Sequence, residues 1–100
     1  MLVRVGDVQE VAEGQMRVYD VEGTPVNVAR TAGRVYAFDD TCTHMGCSLA
    51  NGRLEGTTVT CACHGSQFDV TSGAVLRGPA QRPVRPRALE VRGSDLLTEA

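Results

Sequence analysis

The sequence predicts a small all-β domain built from antiparallel strands, and three observations support this fold class. Valine is the commonest apolar residue, with fourteen valines against seven leucines and no isoleucine, and β-branched residues favour strands. Short runs of alternating polar and apolar residues are separated by turn dipeptides such as Glu22-Gly23 and Ala32-Gly33. At 100 residues the chain is one domain with a small core, to which a metal or a disulfide would add stability.

The first 38 residues predict four strands and one helical turn. Residues 2–5 form a short strand, and Asp7 with Glu10 three positions later resembles a capping box for a turn that ends at Gly14. A three-stranded meander follows, because two turn dipeptides separate its strands. The meander strands are predicted at 16–21, 24–30 and 34–38.

The middle of the chain departs from this alternating pattern. Residues 39–51 have no sustained period of 2 or 3.6 and are mostly small or polar, which is typical of a ligand-bearing loop. Pro86 places the last predicted strand at a sheet edge. The later elements are a hairpin leading into a strand at 57–61, a hairpin of 67–70 and 74–76, and a strand at 84–92. We therefore expect a base of residues 1–39 and 80–100, with residues 40–79 inserted as a loop-rich lobe.

The charge of the chain limits its partners. A formal net charge of −2 argues against nucleic acid and anionic membranes, since both favour a basic protein. Five arginines lie in residues 77–92 against Glu90 alone, which predicts a solvated strand face first and a docking patch second. The first fifteen residues contain acids and no long apolar run, so we expect neither a signal peptide nor a membrane anchor, and a cytoplasmic protein. Cysteines in a reducing cytosol are usually metal ligands or redox groups.

All four cysteines and both histidines lie in two short stretches, CTHMGC and CACHGS. Each stretch offers one close pair, Cys42 with His44 and Cys61 with His64, so two loops could close on a single metal centre. Buried core cysteines and a core histidine are a poor alternative, since six such residues do not gather in two glycine-containing loops by accident. Zinc is a stronger rival, but its structural sites usually pair like ligands, and two cysteines would be left over.

The combination of C-T-H-x-G-C with C-x-C-H-G-S, followed by a hairpin and a Gly-Pro loop, resembles a Rieske iron–sulfur protein over nearly the whole chain. The resemblance implies a β-sandwich-like base with an inserted lobe that holds a 2Fe-2S cluster. It assigns Cys42 and Cys61 to one iron, and His44 and His64 to the outer, more exposed iron.

The resemblance also accounts for the two remaining cysteines. In Rieske proteins of cytochrome bc-type complexes the matching residues form a disulfide, which here would join Cys47 to Cys63. Such a bond would clamp the two loops beside the cluster and contribute on the order of 3 kcal/mol by loop-closure entropy. Burial against the cluster would protect it in a reducing cytosol.

Other residues match or depart from the family's pattern around the cluster. Ser66 matches a serine that donates to a cluster sulfide in high-potential relatives, whereas Phe68 replaces a tyrosine that donates to a ligand thiolate. Gly78-Pro79 matches the start of a proline loop that covers a third side of the cluster, and Gln81 departs from that loop's usual sequence. The residues expected either to shield the cluster or to pack in the core are Met45, Leu49 and Phe68.

The resemblance implies an electron carrier and not an enzyme, and nothing in the sequence resembles a nucleophile with its base or a nucleotide loop. We expect a ferredoxin that passes single electrons from a flavoprotein reductase to an oxygenase. Dioxygenase ferredoxins usually lack the disulfide cysteines, whereas respiratory Rieske proteins that have them carry an N-terminal anchor or signal. Two alternatives therefore stay open: the small Rieske subunit of a larger oxidoreductase of nitrite reductase or arsenite oxidase type, and a zinc-binding interaction module.

Overall fold

The computed structural model describes residues 1–99, which form antiparallel β-strands joined by short turns and loops. Val8–Glu10 and Leu49–Asn51 are 3-10 turns. Residues 1–99 contain no α-helix, and no helix that is long and apolar enough to cross a membrane. The predicted all-β antiparallel class is therefore confirmed. In chain order the strands are β1 (Leu2–Asp7), β2 (Gln15–Val21), β3 (Thr24–Thr31), β4 (Arg34–Asp39), β5 (Arg53–Glu55), β6 (Thr58–Thr60), β7 (Gln67–Asp69), β8 (Val75–Arg77), β9 (Pro86–Arg87), β10 (Leu89–Arg92) and β11 (Asp95–Glu99).

The strands form three sheets, with the orders β1-β11-β10, β2-β3-β4-β9 and β5-β6-β7-β8. The predicted meander is present as β2, β3 and β4 of the second sheet. Its turns place two consecutive residues at positive φ, 52° and 86° for Glu22 and Gly23, and 54° and 74° for Ala32 and Gly33. Two-residue hairpin turns need this left-handed conformation to match the strand twist. The hairpins predicted in the middle of the chain form the third sheet.

Three segments differ from the sequence prediction. The capping box is present, with the Asp7 carboxylate 2.8 Å from the Gln9 amide nitrogen. However, the turn ends at Glu10, because Val11 is extended and turns inward to be 1% exposed. The strand predicted at 84–92 is divided between two sheets, with β9 on the edge beside β4 and β10 beside β11. The prediction missed β11, which pairs with β1 and, across the turn at Gly93-Ser94, with β10.

Strand β3 is buried on both of its faces and therefore contributes to two cores. Val26 and Val28 pack with Val11 and Leu96 in a core between the first and second sheets. Ala29, on the opposite face, belongs to a second core that reaches the third sheet. Other members of that second core are Phe38, Cys42, Leu49, Val59, Cys61 and Phe68. The predicted ligand cysteines are thus part of a packed core. The division into a base and an inserted lobe stays a prediction.

Candidate metal centre

A short loop closed by its own backbone carries the first predicted ligand pair. The Cys42 amide donates to the Cys47 carbonyl oxygen at 2.8 Å, and the Gly46 amide donates to the Cys42 carbonyl oxygen at 2.9 Å. Gly46 has a φ of 78°, a left-handed value that other residues adopt only with strain. This tight turn leaves the His44 side chain exposed.

The second loop repeats the same backbone arrangement. The Cys61 amide donates to the Ser66 carbonyl oxygen at 2.8 Å, the Gly65 amide donates to the Cys61 carbonyl oxygen at 3.1 Å, and Gly65 also has a φ of 78°. The histidine positions differ, since His64 lies three residues after its cysteine and takes the place that Met45 holds in the first loop. Two similar turns therefore present their histidines from different positions.

The four predicted ligands come together as two pairs. Cys42 and Cys61 are each 3% exposed and belong to the same core. His44 and His64 are exposed, with ring centroids 5.0 Å apart and ring planes at 87°. Burial raises the pKa of the Cys61 thiol, and the Cys42 thiol raises it further. The backbone amides of Cys63 and His64, which donate to the Cys61 sulfur, act in the opposite direction.

A disulfide joins Cys47 to Cys63, as the family resemblance implies. It links the two loops directly, and the sulfur atoms of Cys47, Cys61 and Cys63 lie within 4.8 Å of one another. Cys42 and Cys61 are the free cysteines of the chain. The bond therefore lies next to one of the two available thiols without using either.

The segment from Gly78 to Arg82 is hydrogen-bonded to both loops. The Ala80 amide donates to the Ser66 hydroxyl oxygen at 3.0 Å, and the Thr43 hydroxyl donates to the Arg82 carbonyl oxygen at 2.6 Å. Ser66 is fully buried, and within residues 1–99 its hydroxyl acts only as an acceptor. Its own hydrogen is therefore free to be donated to a further group at the centre.

The expected shielding residues divide into two kinds. Leu49 and Phe68 are fully buried in the core that contains Cys42 and Cys61, so core packing is confirmed for both. Met45 is 64% exposed, so core packing is wrong for this residue. It lies at the outside of the first turn, where no core is within reach. A shielding role for the three residues stays a prediction.

The sequence analysis missed a buried aspartate that anchors the first loop. Asp40 is 3% exposed, and its Oδ1 accepts hydrogen bonds from Asn27 Nδ2 at 3.0 Å and from the Ala50 amide at 2.9 Å. The Ser48 hydroxyl donates to Oδ2. The available signal was Asn27, a polar residue between two valines of a strand that is buried on both faces.

This donor set fits an iron–sulfur cluster of the mixed-ligand kind. Thiolates are the usual ligands of such clusters, and in Rieske centres two imidazoles replace two thiolates on one iron. The chain supplies two adjacent buried thiols, two adjacent exposed imidazoles and one buried hydroxyl whose hydrogen has no acceptor. Comparison with known proteins agrees with this chemistry.

Residues 1–90 match the family described as Rieske [2Fe-2S] domain. The chain therefore belongs to that family and carries a 2Fe-2S cluster. This family membership favours an iron–sulfur centre over the zinc alternative. Its relatives include the ferredoxin component of biphenyl 2,3-dioxygenase from Rhodococcus jostii (strain RHA1), which is 30% identical over 98 residues, 98% of this chain and 92% of the relative.

Two solved structures are also similar over nearly their full length. The ferredoxin of carbazole 1,9a-dioxygenase from Nocardioides aromaticivorans IC177 is 31% identical with a TM-score of 0.93, covering 98% of this chain and 96% of that one. A chain from the complex of reduced oxygenase and oxidized ferredoxin in carbazole 1,9a-dioxygenase is 30% identical with a TM-score of 0.91, covering 97% and 91%. These proteins are dioxygenase ferredoxin components.

Proposed function

We propose that Cys42 and Cys61 hold the inner iron of the cluster and that His44 and His64 hold the outer iron. The contrast in exposure supports this assignment, because both thiols are 3% exposed whereas both imidazoles reach the surface. Two ferric ions, two sulfides and two thiolates sum to zero charge, so adding an electron costs less than in a four-thiolate cluster. Histidine ligation accordingly places reduction potentials at roughly −150 to +300 mV instead of about −400 mV.

We propose that the protein carries single electrons from a flavoprotein reductase to a terminal oxygenase and is not itself an enzyme. The observation that carries this proposal is the match to dioxygenase ferredoxin components over almost the whole of both chains. The exposed pair of imidazoles gives electrons a short path to a docked partner. The cluster supplies the one-electron chemistry, and the surrounding residues bury its inner side and leave its histidine side open.

Reconstitution tests the electron-carrier proposal. The flavoprotein reductase and terminal oxygenase of a Rieske dioxygenase system are mixed with NAD(P)H and an aromatic substrate, and product formation is measured with and without the protein. We expect turnover to depend on the protein and to rise with its concentration until it saturates. In a single-turnover experiment without oxygen, the fully reduced protein is mixed with the oxygenase. If the protein stays reduced, the proposal is contradicted.

Substitution of the histidines tests the ligand assignment. His64→Ala removes one proposed ligand and should abolish the visible absorption and the reduced-state electron paramagnetic resonance signal of the cluster. Met45→Ala is the matched control, because Met45 occupies the equivalent position of the first loop and is exposed. A stoichiometric cluster with unchanged spectra in His64→Ala would overturn the assignment.

The Cys47–Cys63 disulfide favours a second candidate function, that of a small Rieske subunit within a larger oxidoreductase. The disulfide is the feature shared with respiratory Rieske proteins. Affinity purification at native expression levels separates the two candidates, since a subunit co-purifies in fixed stoichiometry and a ferredoxin does not. The ferredoxin proposal also places the protein in the cytoplasm with its partners, which cell fractionation can test.

A further inference from the structure

A cleft of about 260 Å³ opens directly beside the exposed histidine of the first loop. Its lining consists of Thr43, His44, Pro79, Gln81 and Arg82. The hydrogen bond from the Thr43 hydroxyl to the Arg82 carbonyl oxygen fixes one wall to the other at 2.6 Å. The cleft is therefore a fixed part of the surface beside the exposed histidines. Its polar side chains are a guanidinium, an amide, an imidazole and the Thr43 hydroxyl.

The segments that form this cleft and the two ligand loops have a positive formal charge, although the whole chain is negative. None of the residues in 41–49, 61–66 and 78–82 is acidic, while Asp40, which precedes the first loop, is buried and hydrogen-bonded. The formal net charge of −2 therefore arises from other parts of the chain. A partner that approaches the histidines meets a local field opposite in sign to the net charge.

Arg82 is the arginine that lines the cleft. Among the arginines of 77–92, Arg87 is paired with Asp39 at 2.7 Å and Arg92 with Glu90 at 3.0 Å. The Arg82 side chain is exposed and makes no ion pair within residues 1–99. Met45, next to His44, adds an exposed apolar side chain to the same loop, and arginine and methionine are both enriched in protein interfaces.

We infer that the cleft beside His44, which Arg82 lines, together with Met45 on the first loop, is a docking site for an acidic surface of the terminal oxygenase, whose carboxylate pairs with Arg82. This inference rests on the proposed function and specifies the chemistry of the partner's face. Gln81 also lines the cleft and offers an amide donor to the same carboxylate, and Pro79 adds an apolar part of the lining. Positive charge at this point attracts an acidic partner and orients it with the histidines towards the acceptor.

Small redox probes of opposite charge test the local field without any partner protein. Reduced protein is mixed in a stopped-flow instrument with ferricyanide, a trivalent anion, or with tris(phenanthroline)cobalt(III), a trivalent cation. In each reaction the cluster loses one electron and the probe gains one, so the two second-order rate constants are directly comparable between variants. At an ionic strength of about 0.01 M the Debye length is about 30 Å, and screening is weak.

We expect Arg82→Glu to lower the ferricyanide rate constant by about tenfold and to raise the cobalt rate constant by a similar factor. Arg82→Lys should keep both rate constants within about twofold of the wild type, since it keeps the charge. Arg34→Glu is the control with the same change of net charge. Arg34 is exposed and starts β4, six residues that end at Asp39, so it lies about 17 Å from the end of the strand that leads into the first loop.

Equal effects of Arg82→Glu and Arg34→Glu on both probes would overturn the inference, because they would show that only the net charge matters. The oxygenase provides the second measurement. Electron delivery to it should slow with added salt in the wild type, and Arg82→Glu should weaken both the rate and this salt dependence. If turnover is normal but insensitive to Arg82→Glu, the docking site is wrong and the electron-carrier function stands. If the probes behave as expected and no turnover occurs, the carrier function fails instead.

Discussion

At the scale of single residues, the centre depends on side chains whose partners lie far away in sequence. Ser66 follows the second ligand pair, yet its hydroxyl accepts from Ala80, fourteen residues later. Asp40 precedes the first pair and binds Asn27, thirteen residues earlier. Both residues are buried, where an unsatisfied polar group costs about 1 to 3 kcal/mol. Substitutions at these positions therefore test the site more sharply than changes at its exposed rim.

Ser66→Ala should lower the reduction potential of the cluster by a few tens of millivolts. The serine hydrogen has no acceptor within residues 1–99, and a hydrogen bond to a cluster sulfide stabilises the reduced form more, because reduction adds negative charge there. A difference on the order of 1 kcal/mol between redox states corresponds to about 40 mV for one electron. Protein-film voltammetry at a single pH measures the shift. An unchanged potential with an intact cluster would refute the hydrogen bond.

Phe68→Tyr tests whether adding a hydrogen-bond donor near the cluster raises its potential. Phe68 is fully buried in the core that contains Cys42 and Cys61, so the variant adds only a hydroxyl to a packed ring. If that hydroxyl donates to a ligand thiolate, the potential should rise by a few tens of millivolts and stability should hold. A fall of about 1 to 3 kcal/mol in unfolding free energy with an unchanged potential would mean that the hydroxyl finds no partner.

At the scale of elements, the first ligand loop is held by the meander, and the disulfide joins it to the second loop. Asp40 connects β3, through Asn27, to the end of the first loop at Ser48 and Ala50. The Leu49 amide also donates to the Asp40 carbonyl oxygen at 2.8 Å. The first loop is short, and these contacts fix its end at Ser48 and Ala50.

Asp40→Asn should destabilise the first loop. The asparagine amide group cannot accept hydrogen bonds where the second carboxylate oxygen does, so the Ser48 hydroxyl loses its acceptor. We expect a loss of about 2 to 3 kcal/mol in unfolding free energy and faster release of iron to a chelator. Asp20→Asn is the control, because Asp20 is exposed and its role as acceptor for the Gly23 amide survives the change. Equal stability of the two variants would mean that the Asp40 network adds nothing.

The disulfide is best tested by removing both of its cysteines. A lone Cys63 thiol would lie within 4.8 Å of the Cys61 sulfur and could compete for iron, so Cys47→Ser combined with Cys63→Ser is the informative variant. Loss of a cross-link with a sequence separation of 16 should cost on the order of 3 kcal/mol in unfolding free energy, with the cluster spectrum retained. Alkylation of either cysteine in the native, unreduced protein would refute the bond.

At the scale of the whole molecule, the sequence predicts local structure well and distant pairing poorly. The meander was predictable because valine alternation and the turn dipeptides act within a few residues. The ligand pairs were predictable because their spacing is also local. β11 was missed although Gly93-Ser94 is a local turn signal that separates it from its neighbour β10. Its pairing with β1, about ninety residues away, has no such local signal. Arg82 was noted only as one of five clustered arginines, since its position beside His44 depends on how the chain returns to the first loop.

The contact between Tyr19 and Glu10 makes the stability of the whole fold fall as the pH becomes alkaline. The Tyr19 hydroxyl donates to the Glu10 carboxylate at 2.9 Å, which ties β2 of the second sheet to the turn after β1 of the first. A methyl group on Gly6 would lie 2.6 Å from Glu10 and 2.7 Å from Tyr19, so the three residues are closely packed. The pKa of Tyr19 is raised to about 12, chiefly by burial and next by the hydrogen bond to Glu10.

Since an unfolded tyrosine has a pKa of about 10, the neutral hydroxyl stabilises the fold fully below pH 10 and progressively less as the pH rises to about 12. We therefore expect the unfolding free energy, measured by urea titration, to fall over this range. The unfolding free energy of Tyr19→Phe should fall less steeply with pH, because ionisation at this position no longer stabilises the unfolded state. Equal slopes for wild type and Tyr19→Phe would show that the link between the two sheets makes no contribution of this kind.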